Sequence, residues 1–140
     1  MNSTDPGTSV HFRLQVDGID LGDFNTCDGL GMQVEFEEHQ EGGNNDYVWQ
    51  LPTRITYPHV TLTRPLTSDT AKITGFLAGL PVKTRRGTAQ IAALRPNLRD
   101  VIGQWSLRDV IVVSWTGPRF DPARSEAATE SIELAHHGFL

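Results

Sequence analysis

The sequence has one cysteine, no long apolar run and a small net charge, and each shortage excludes a class of protein. With Cys27 alone, no intrachain disulfide can form, so nothing indicates folding in an oxidising compartment. No apolar stretch approaches the roughly 20 residues that a membrane-spanning helix needs. A net charge of −5 disfavours unspecific nucleic-acid binding as the main activity.

The sequence signatures of catalysis and cofactor binding are also missing. The five histidines have no metal-ligand spacing, and His136 and His137 would point to opposite faces of a strand. Neither a Gly-x-Ser-x-Gly elbow nor a phosphate-binding Gly-Lys-Ser/Thr loop occurs. Cys27 has no basic neighbours and fits a small buried side chain better than a reactive thiolate. We therefore expect no catalytic residue, no metal site and no cofactor.

Alternation of apolar and polar residues predicts a mainly β chain. Strands are predicted over residues 10–16, 32–39, 59–64, 88–94, 101–115 and 127–137, with pairing resumed over 19–21. A turn cluster after Gln40 predicts a hairpin tip or a long loop that ends at Leu51-Pro52. Apolar residues continue almost to Leu140, so we expect the last strand to dock in a sheet instead of fraying.

One helix is predicted, because apolar residues recur there at the spacing of a single helical face. The stripe consists of Ile73, Phe76, Leu77 and Leu80. Ser68 or Asp69 is placed to cap the helix, and Pro81 to stop it. A helix this short needs to pack its stripe on a sheet. We predict an antiparallel β-sandwich or partly open barrel with one packed helix over residues 10–140, after a flexible lead-in over 1–9.

The predicted strand over residues 32–39 has two contrasting faces. Met32, Val34 and Phe36 are expected to pack inward. Gln33, Glu35 and Glu37 point the other way and form an acidic, wet face. Solvated carboxylates on a strand are much commoner than a catalytic group, so we interpret these glutamates as a solvated face.

Large apolar side chains are candidate core or interface anchors, because aromatic residues dominate the energetics of both. These anchors are Phe12, Phe36, Phe76, Trp105, Trp115 and Leu134. Aromatic residues beside a flexible turn, at Tyr47 and Trp49, indicate that the turn is buried against another surface, for which a second subunit is the candidate.

Several short pieces, taken in order, resemble a known family. They are Phe12-x-Leu-x-Val16-Asp17-Gly18, Phe24-x-x-Cys27-x-Gly29-Leu30, Glu41-Gly42-Gly43-Asn44, Leu51-Pro52, Val60-Thr61-Leu62-Thr63-Arg64, Trp105, Trp115-x-Gly117-Pro118, and Glu130-Ser-Ile-Glu133-Leu134-Ala135-His136-His137-Gly138. The ordered set spans nearly the whole chain. It resembles the tail-tube proteins of contractile-tailed phages and of phage-derived extracellular contractile injection systems.

The resemblance implies a structural protein without enzymatic activity. Six subunits would form a ring whose strands share one β-barrel around a lumen, and rings would stack into a rigid hollow tube inside a contractile sheath. The implied partners are further copies of the chain, the sheath protein, and the baseplate and tube-terminator proteins, with protein cargo possible in the lumen. The particle would be assembled in the bacterial cytoplasm.

The resemblance also suggests roles for two groups of residues. Gln33, Glu35 and Glu37 are candidates for lining the lumen. The loop that would bridge to the next ring contains Glu41, Gly42, Gly43, Asn44, Asn45, Tyr47 and Trp49. Its glycines give the backbone reach, and its aromatic residues supply contact area.

Three alternatives remain open from the sequence. The chain could be a tube-terminating or baseplate-adaptor ring that stacks only once, although the short N-terminus and the lack of an appended domain favour the plain tube subunit. It could be a secreted ring protein of a bacterial secretion system. A member of another class, a small ligand-binding or enzymatic β-barrel, would run as a monomer or dimer with an internal cavity.

The loop assignment leads to a first prediction. Replacing both glycines, Gly42→Val and Gly43→Val, should leave rings intact but block their stacking, because valine restricts the backbone that has to reach the next ring. Negative-stain electron microscopy of the purified variant is the measurement. Tubes of normal length from this variant would refute the assignment.

Overall fold

The computed structural model describes residues 10–39, 49–79, 86–118 and 128–140. Within these ranges the chain forms nine strands and one helix. They are β1 (His11–Val16), β2 (Ile19–Phe24), β3 (Thr26–Asp28), β4 (Gln33–His39), β5 (Trp49–Thr56), β6 (Val60–Pro65), α1 (Thr70–Ala78), β7 (Gly87–Leu94), β8 (Val101–Thr116) and β9 (Thr129–Ala135). The predicted fold class, mainly antiparallel β with one helix, is confirmed.

Seven strands form one sheet that curls back on itself. Their order is β2-β1-β7-β8-β9-β6-β3, and every neighbouring pair is antiparallel. The two strands at the ends of this order are consecutive in the chain, separated only by Asn25. The Asn25 N–H donates to the carbonyl of Thr63 at 2.9 Å. A single bent segment therefore leaves β1 and joins β6, which closes the sheet into a barrel.

β8 is the longest strand and changes partner along its length. Its first part pairs with β7 as far as Val110, and its second part pairs with β9 from Ile111 onward. Asp109, next to this exchange, has a φ of 54°, in the left-handed region that bends the strand. The bend turns one strand into the corner between the two halves of the barrel.

The barrel interior is filled by apolar side chains from both halves. The fully buried residues include Leu14, Leu21, Phe24, Val60, Leu62, Ile91, Leu107, Ile132 and Leu134. The helix closes one side with Ile73, which is fully buried, while Phe76 and Leu77 pack partly against the same core. Leu80 and Pro81, predicted to end the stripe and the helix, lie outside the described residues.

Two strands differ from the sequence-based prediction. β5 continues through Pro52, which we had expected to end the segment. Proline is tolerated there because, within the described residues, β5 pairs with β4 alone and its other edge needs no N–H donor. β3 is three residues long, too short to show an alternating pattern.

The helix cap also differs from expectation. Asp69 occupies the N-cap position, but its side chain makes no capping hydrogen bond. Its carboxylate instead lies 3.2 Å from the Lys72 ammonium and 3.9 Å from the Arg64 guanidinium. Electrostatic attraction to two cations has replaced the capping bond.

Leu134 provides a test of the core. Leu134→Ala should lower the free energy of unfolding by about 2–5 kcal/mol, because it removes a fully buried side chain and leaves a cavity. Ile19→Ala is the control, since Ile19 is 49% exposed and its loss should cost at most about 0.5 kcal/mol. Urea unfolding at equal protein concentration measures both. Equal losses of unfolding free energy in the two variants would contradict the placement of Leu134 in the core.

Candidate functional site

A two-stranded ribbon, β4 with β5, forms a sheet separate from the barrel. In its register Val34 lies opposite Ile55 and Phe36 opposite Pro52, so these four residues share one face. The side chain of Phe36 is exposed to 55% and that of Ile55 to 50%. The ribbon thus presents an unpartnered apolar face to solvent.

The opposite face of the ribbon is polar. Gln33 lies opposite Thr56 and Glu35 opposite Arg54, with Glu37 paired to Leu51 further along. The Arg54 Nε atom is 2.9 Å from a Glu35 carboxylate oxygen, in an exposed ion pair. The three predicted lumen residues, Gln33, Glu35 and Glu37, therefore share one face of the ribbon.

One prediction about this segment is wrong for the single chain. We expected Met32, Val34 and Phe36 to pack inward, but Met32 is 52% exposed, Phe36 is 55% exposed and Val34 is half-buried. The alternation did identify the two faces. It could not show that the barrel core is complete without this strand, so the apolar face has no intrachain surface to cover.

A ribbon of this kind is an incomplete structure. A lone pair of strands is at best marginally stable in water, and unpaired strand edges invite pairing with another chain. The second half of β8 adds a further free edge among the described residues, because Ile111 to Thr116 pair with β9 on one side alone. Val113, in this half, is 46% exposed.

The barrel seam between β2 and β6 is held by a buried side chain. Arg64 on β6 is only 1% exposed and donates from Nη1 to the Leu21 carbonyl at 2.9 Å. It donates from Nη2 to the Asp69 carbonyl, also at 2.9 Å, and its guanidinium lies 4.3 Å from the centre of the Phe24 ring. Arg64 thereby joins β6 to β2 and to the start of the helix.

Glu130 on β9 balances this buried charge. Its Oε1 atom accepts hydrogen bonds from Arg64 Nε at 2.5 Å and from the Thr70 hydroxyl at 3.1 Å. Gly22 faces the same group with a φ of 97°, and a Cβ there would come within 2.5 Å of Arg64 Nη1. The guanidinium, the carboxylate and the glycine form one packed unit that sets how close β2 lies to β6.

The predicted anchors occupy different environments. Leu134 is fully buried, whereas Phe12, Phe76, Trp105 and Trp115 are partly buried against the core. Phe36 is not part of the core. The predicted stacking loop lies outside the described residues from Glu41 to Tyr47. Its last predicted member, Trp49, is the first residue of β5.

The described residues contain no gathered group of three or more His, Cys, Asp or Glu side chains suited to a metal ion. Burial, with a smaller contribution from Asp28, raises the pKa of the Cys27 thiol to about 11, which keeps it protonated near neutral pH. None of the helices in the described ranges combines the length and apolarity needed to cross a membrane.

Sequence reasoning missed the Arg64–Glu130 pair, although the sequence carries a signal for it. Arg64 follows Val60 and Leu62 at the inward positions of its strand, and Glu130 precedes Ile132 and Leu134 at those of another. Opposite charges at inward positions of two strands indicate a buried ion pair, since an isolated buried charge is costly.

Comparison with known proteins identifies the class. The family model described as "T4-like virus tail tube protein gp19" matches residues 8–140, so the chain belongs to this tail tube family. A comparison with curated proteins gave no match.

Solved structures agree with this fold. A chain of the sheath–tube complex of the extracellular contractile injection system PVC in its extended state superposes with a TM-score of 0.74 at 17% identity, covering 92% of this chain and 86% of that one. A chain of the PVC sheath/tube terminator gives 0.73 at 17% identity, covering 92% and 91%. A chain of the anti-feeding prophage baseplate gives 0.71 at 19% identity, covering 100% and 96%. At these identities the likeness shows the fold.

Replacing the buried Arg64 at the seam should lower the free energy of unfolding by an unusually large amount. Arg64→Met should cost about 3–5 kcal/mol of unfolding free energy, because Glu130 then remains buried without its partner. Arg54→Met is the matched control, since Arg54 also pairs with a glutamate but is 73% exposed, and its loss should cost at most about 1 kcal/mol. Urea unfolding measures both.

A double variant separates charge from packing. Arg64→Met with Glu130→Leu removes the uncompensated carboxylate, so it should be more stable than Arg64→Met alone, while the carbonyl partners of Arg64 still lose their donor. A double variant that is no more stable than the single one would show that the ion pair does not hold the seam.

Proposed function

We propose that this chain is the inner-tube subunit of a contractile injection system or phage tail, and that six copies form a ring and rings stack into a hollow tube. Membership of the tail tube family supports the class. The observation that carries the proposal is the exposed amphipathic ribbon of β4 and β5 beside a barrel that is already complete.

The ribbon provides both sides of a tube wall. Its apolar face, with Phe36 and Ile55, packs on a neighbouring copy. Its polar face, with Gln33, Glu35 and Glu37, turns to the water-filled lumen. Its free edges pair with strands of the adjacent copies, so that closing the ring removes them. The same contact repeated around the ring is heterologous, and it closes when the rotation per subunit fits the number of copies.

The protein acts mechanically and catalyses no reaction. The sheath supplies the energy for penetration, and the tube contributes stiffness and a bore of fixed width. Its partners are the sheath, baseplate and tube-terminator proteins, and its lumen takes protein cargo. Structures of PVC and anti-feeding prophage particles that contain similar chains hold a sheath–tube complex, a tube terminator and a baseplate, which supports this set. Assembly takes place in the bacterial cytoplasm.

Two alternatives are distinguished by assembly state. A terminator or adaptor ring of the same particle would give single rings and no tubes. A ligand-binding barrel is disfavoured, because large apolar side chains fill the barrel interior. Electron microscopy of the purified protein separates tubes, single rings and monomers.

The ribbon predicts a face-specific effect on assembly. Phe36→Asp places a charge on the face proposed to pack on the next copy, where burial of a carboxylate without a partner costs more than the roughly 1–3 kcal/mol of a neutral polar group. The concentration at which rings form should rise by about tenfold or more. Sedimentation velocity over a dilution series is the measurement.

Leu51→Asp is the matched control. Leu51 lies on the same ribbon, is 47% exposed and shares the polar face with Glu37, so a carboxylate there meets water and rings should form normally. Neither change touches the core, and both variants should keep the unfolding temperature of the unassembled chain. Rings from Phe36→Asp at unchanged concentration, or loss of rings only in Leu51→Asp, would overturn the orientation of the ribbon.

A further inference from the structure

The last residues of the chain lie against β8 after β9 has ended. The His137 N–H donates to the Arg108 carbonyl at 3.0 Å, the Arg108 N–H to the Gly138 carbonyl at 2.9 Å, and the Leu140 N–H to the Ser106 carbonyl at 2.9 Å. Phe139 forms a bridge with Leu107. The segment 136–140 is therefore a short extension that covers the middle of β8.

A buried histidine lies at the start of this segment. His136 is only 4% exposed and packs against two aromatic rings, with centroid distances of 5.2 Å to Tyr57 and 5.5 Å to Phe139, which also contact each other. Its Nδ1 atom accepts a hydrogen bond from the Gly138 N–H at 3.1 Å. Nδ1 therefore carries no proton, and the ring is the neutral tautomer with its hydrogen on Nε2.

Protonation conflicts with this arrangement at both ring nitrogens. A proton on Nδ1 would face the Gly138 N–H that now donates to it. The other atom within reach, the Gly138 carbonyl, is 3.4 Å away and also accepts from the Arg108 N–H, so it offers a protonated Nδ1 a long contact only. Nε2 is buried without a hydrogen-bond partner in the described structure, so no acceptor there stabilises the added charge.

We infer that segment 136–140 is a proton-operated latch, which stays on β8 while His136 is neutral and is released when His136 is protonated. Gly138 fits this tight turn with a φ of 122°, and a Cβ there would lie 3.0 Å from the Tyr57 hydroxyl. The turn leaves little space in which the charged ring could find another position.

The surrounding charged groups do not offset the added proton. The Nδ1 atom of His59, two residues after Tyr57, lies 2.6 Å from a carboxylate oxygen of Glu133 on β9. Arg108 of β8 donates from Nε to the His137 carbonyl, and His137 points outward, 3.6 Å from Asp109. The two neighbouring imidazoles, His59 and His137, disfavour a charge on His136, and the carboxylates of Glu133 and Asp109 already lie against these two imidazoles.

Burial lowers the pKa of His136 below the usual value of about 6.5, and His137 and His59 add to this shift, although the Gly138 carbonyl opposes it. A histidine whose pKa is lower in the closed state than in the open state binds more protons when open. The latch is therefore fully stable above about pH 6.5 and weakens as the pH falls below that value.

Hydrogen–deuterium exchange of the full chain, followed by mass spectrometry, tests the latch. The peptides that contain residues 104–110 and 136–140 should exchange faster at pH 5 than at pH 8, after correction for the intrinsic pH dependence of exchange. The opening constant should rise by up to about 30-fold, the limit for a group of open-state pKa near 6.5 that stays neutral when closed. Peptides from β6 and β7 should not respond.

Three variants identify the responsible group. His136→Phe and His136→Gln cannot titrate, so both should abolish the pH response, and glutamine retains an acceptor for the Gly138 N–H. His137→Asn, at the exposed neighbouring position, should keep the full response. A pH response that persists in either His136 variant, or its absence in the unmodified chain, would overturn the inference. These results do not depend on ring formation, so they are independent of the proposed function.

Discussion

The barrel depends on the guanidinium of Arg64. Seven strands can curl into a barrel only if the last gap is closed, and here the gap lies between β2 and β6, where no continuous backbone ladder runs. An arginine side chain suits this gap, because its planar fork holds several donors in fixed directions and stays charged at any ordinary pH. It reaches carbonyls of β2 and of the helix start, and Glu130 of β9 neutralises it. Gly22 leaves the space that this fork occupies.

Closure of the barrel determines where assembly contacts lie. A strand whose backbone N–H and C=O groups are already paired on both edges has none left to pair with another chain. Among the described residues, the ribbon and the second half of β8 combine unpaired strand edges with exposed apolar side chains such as Phe36, Ile55 and Val113. A complete barrel with one marginal two-stranded ribbon suits the proposed assembly, because the barrel can fold in the single chain while the ribbon is left free to contact another copy.

The sequence predicted the barrel strands well because most have one buried face. Alternation is strong in β1, β6, β7 and β9, where inward positions reach a core. It failed at β5, where Pro52 looked like an end. The reason is that a free edge needs no donor at that position, and a sequence does not show which edges are free.

The ribbon shows a second limit of sequence reasoning. Alternation in β4 correctly assigned Phe36 and Glu35 to opposite faces of the strand. It could not show whether the apolar face packs on the same chain or on another one. The Arg64–Glu130 pair was detectable in principle, since both charges stand at inward positions of their strands. Neither strand alone reveals the pair, because only the antiparallel pairing of β6 with β9 brings the two residues opposite one another.

The ribbon and the proposed latch meet at Tyr57. This residue directly follows the end of β5, and its ring packs on both His136 and Phe139. The aromatic cluster thus fixes the point where the ribbon returns to the barrel. Because Tyr57 is shared, release of the C-terminal segment would remove part of the support at the base of the ribbon. The protonation state of a single buried imidazole would then influence the very element that we propose joins one copy to the next.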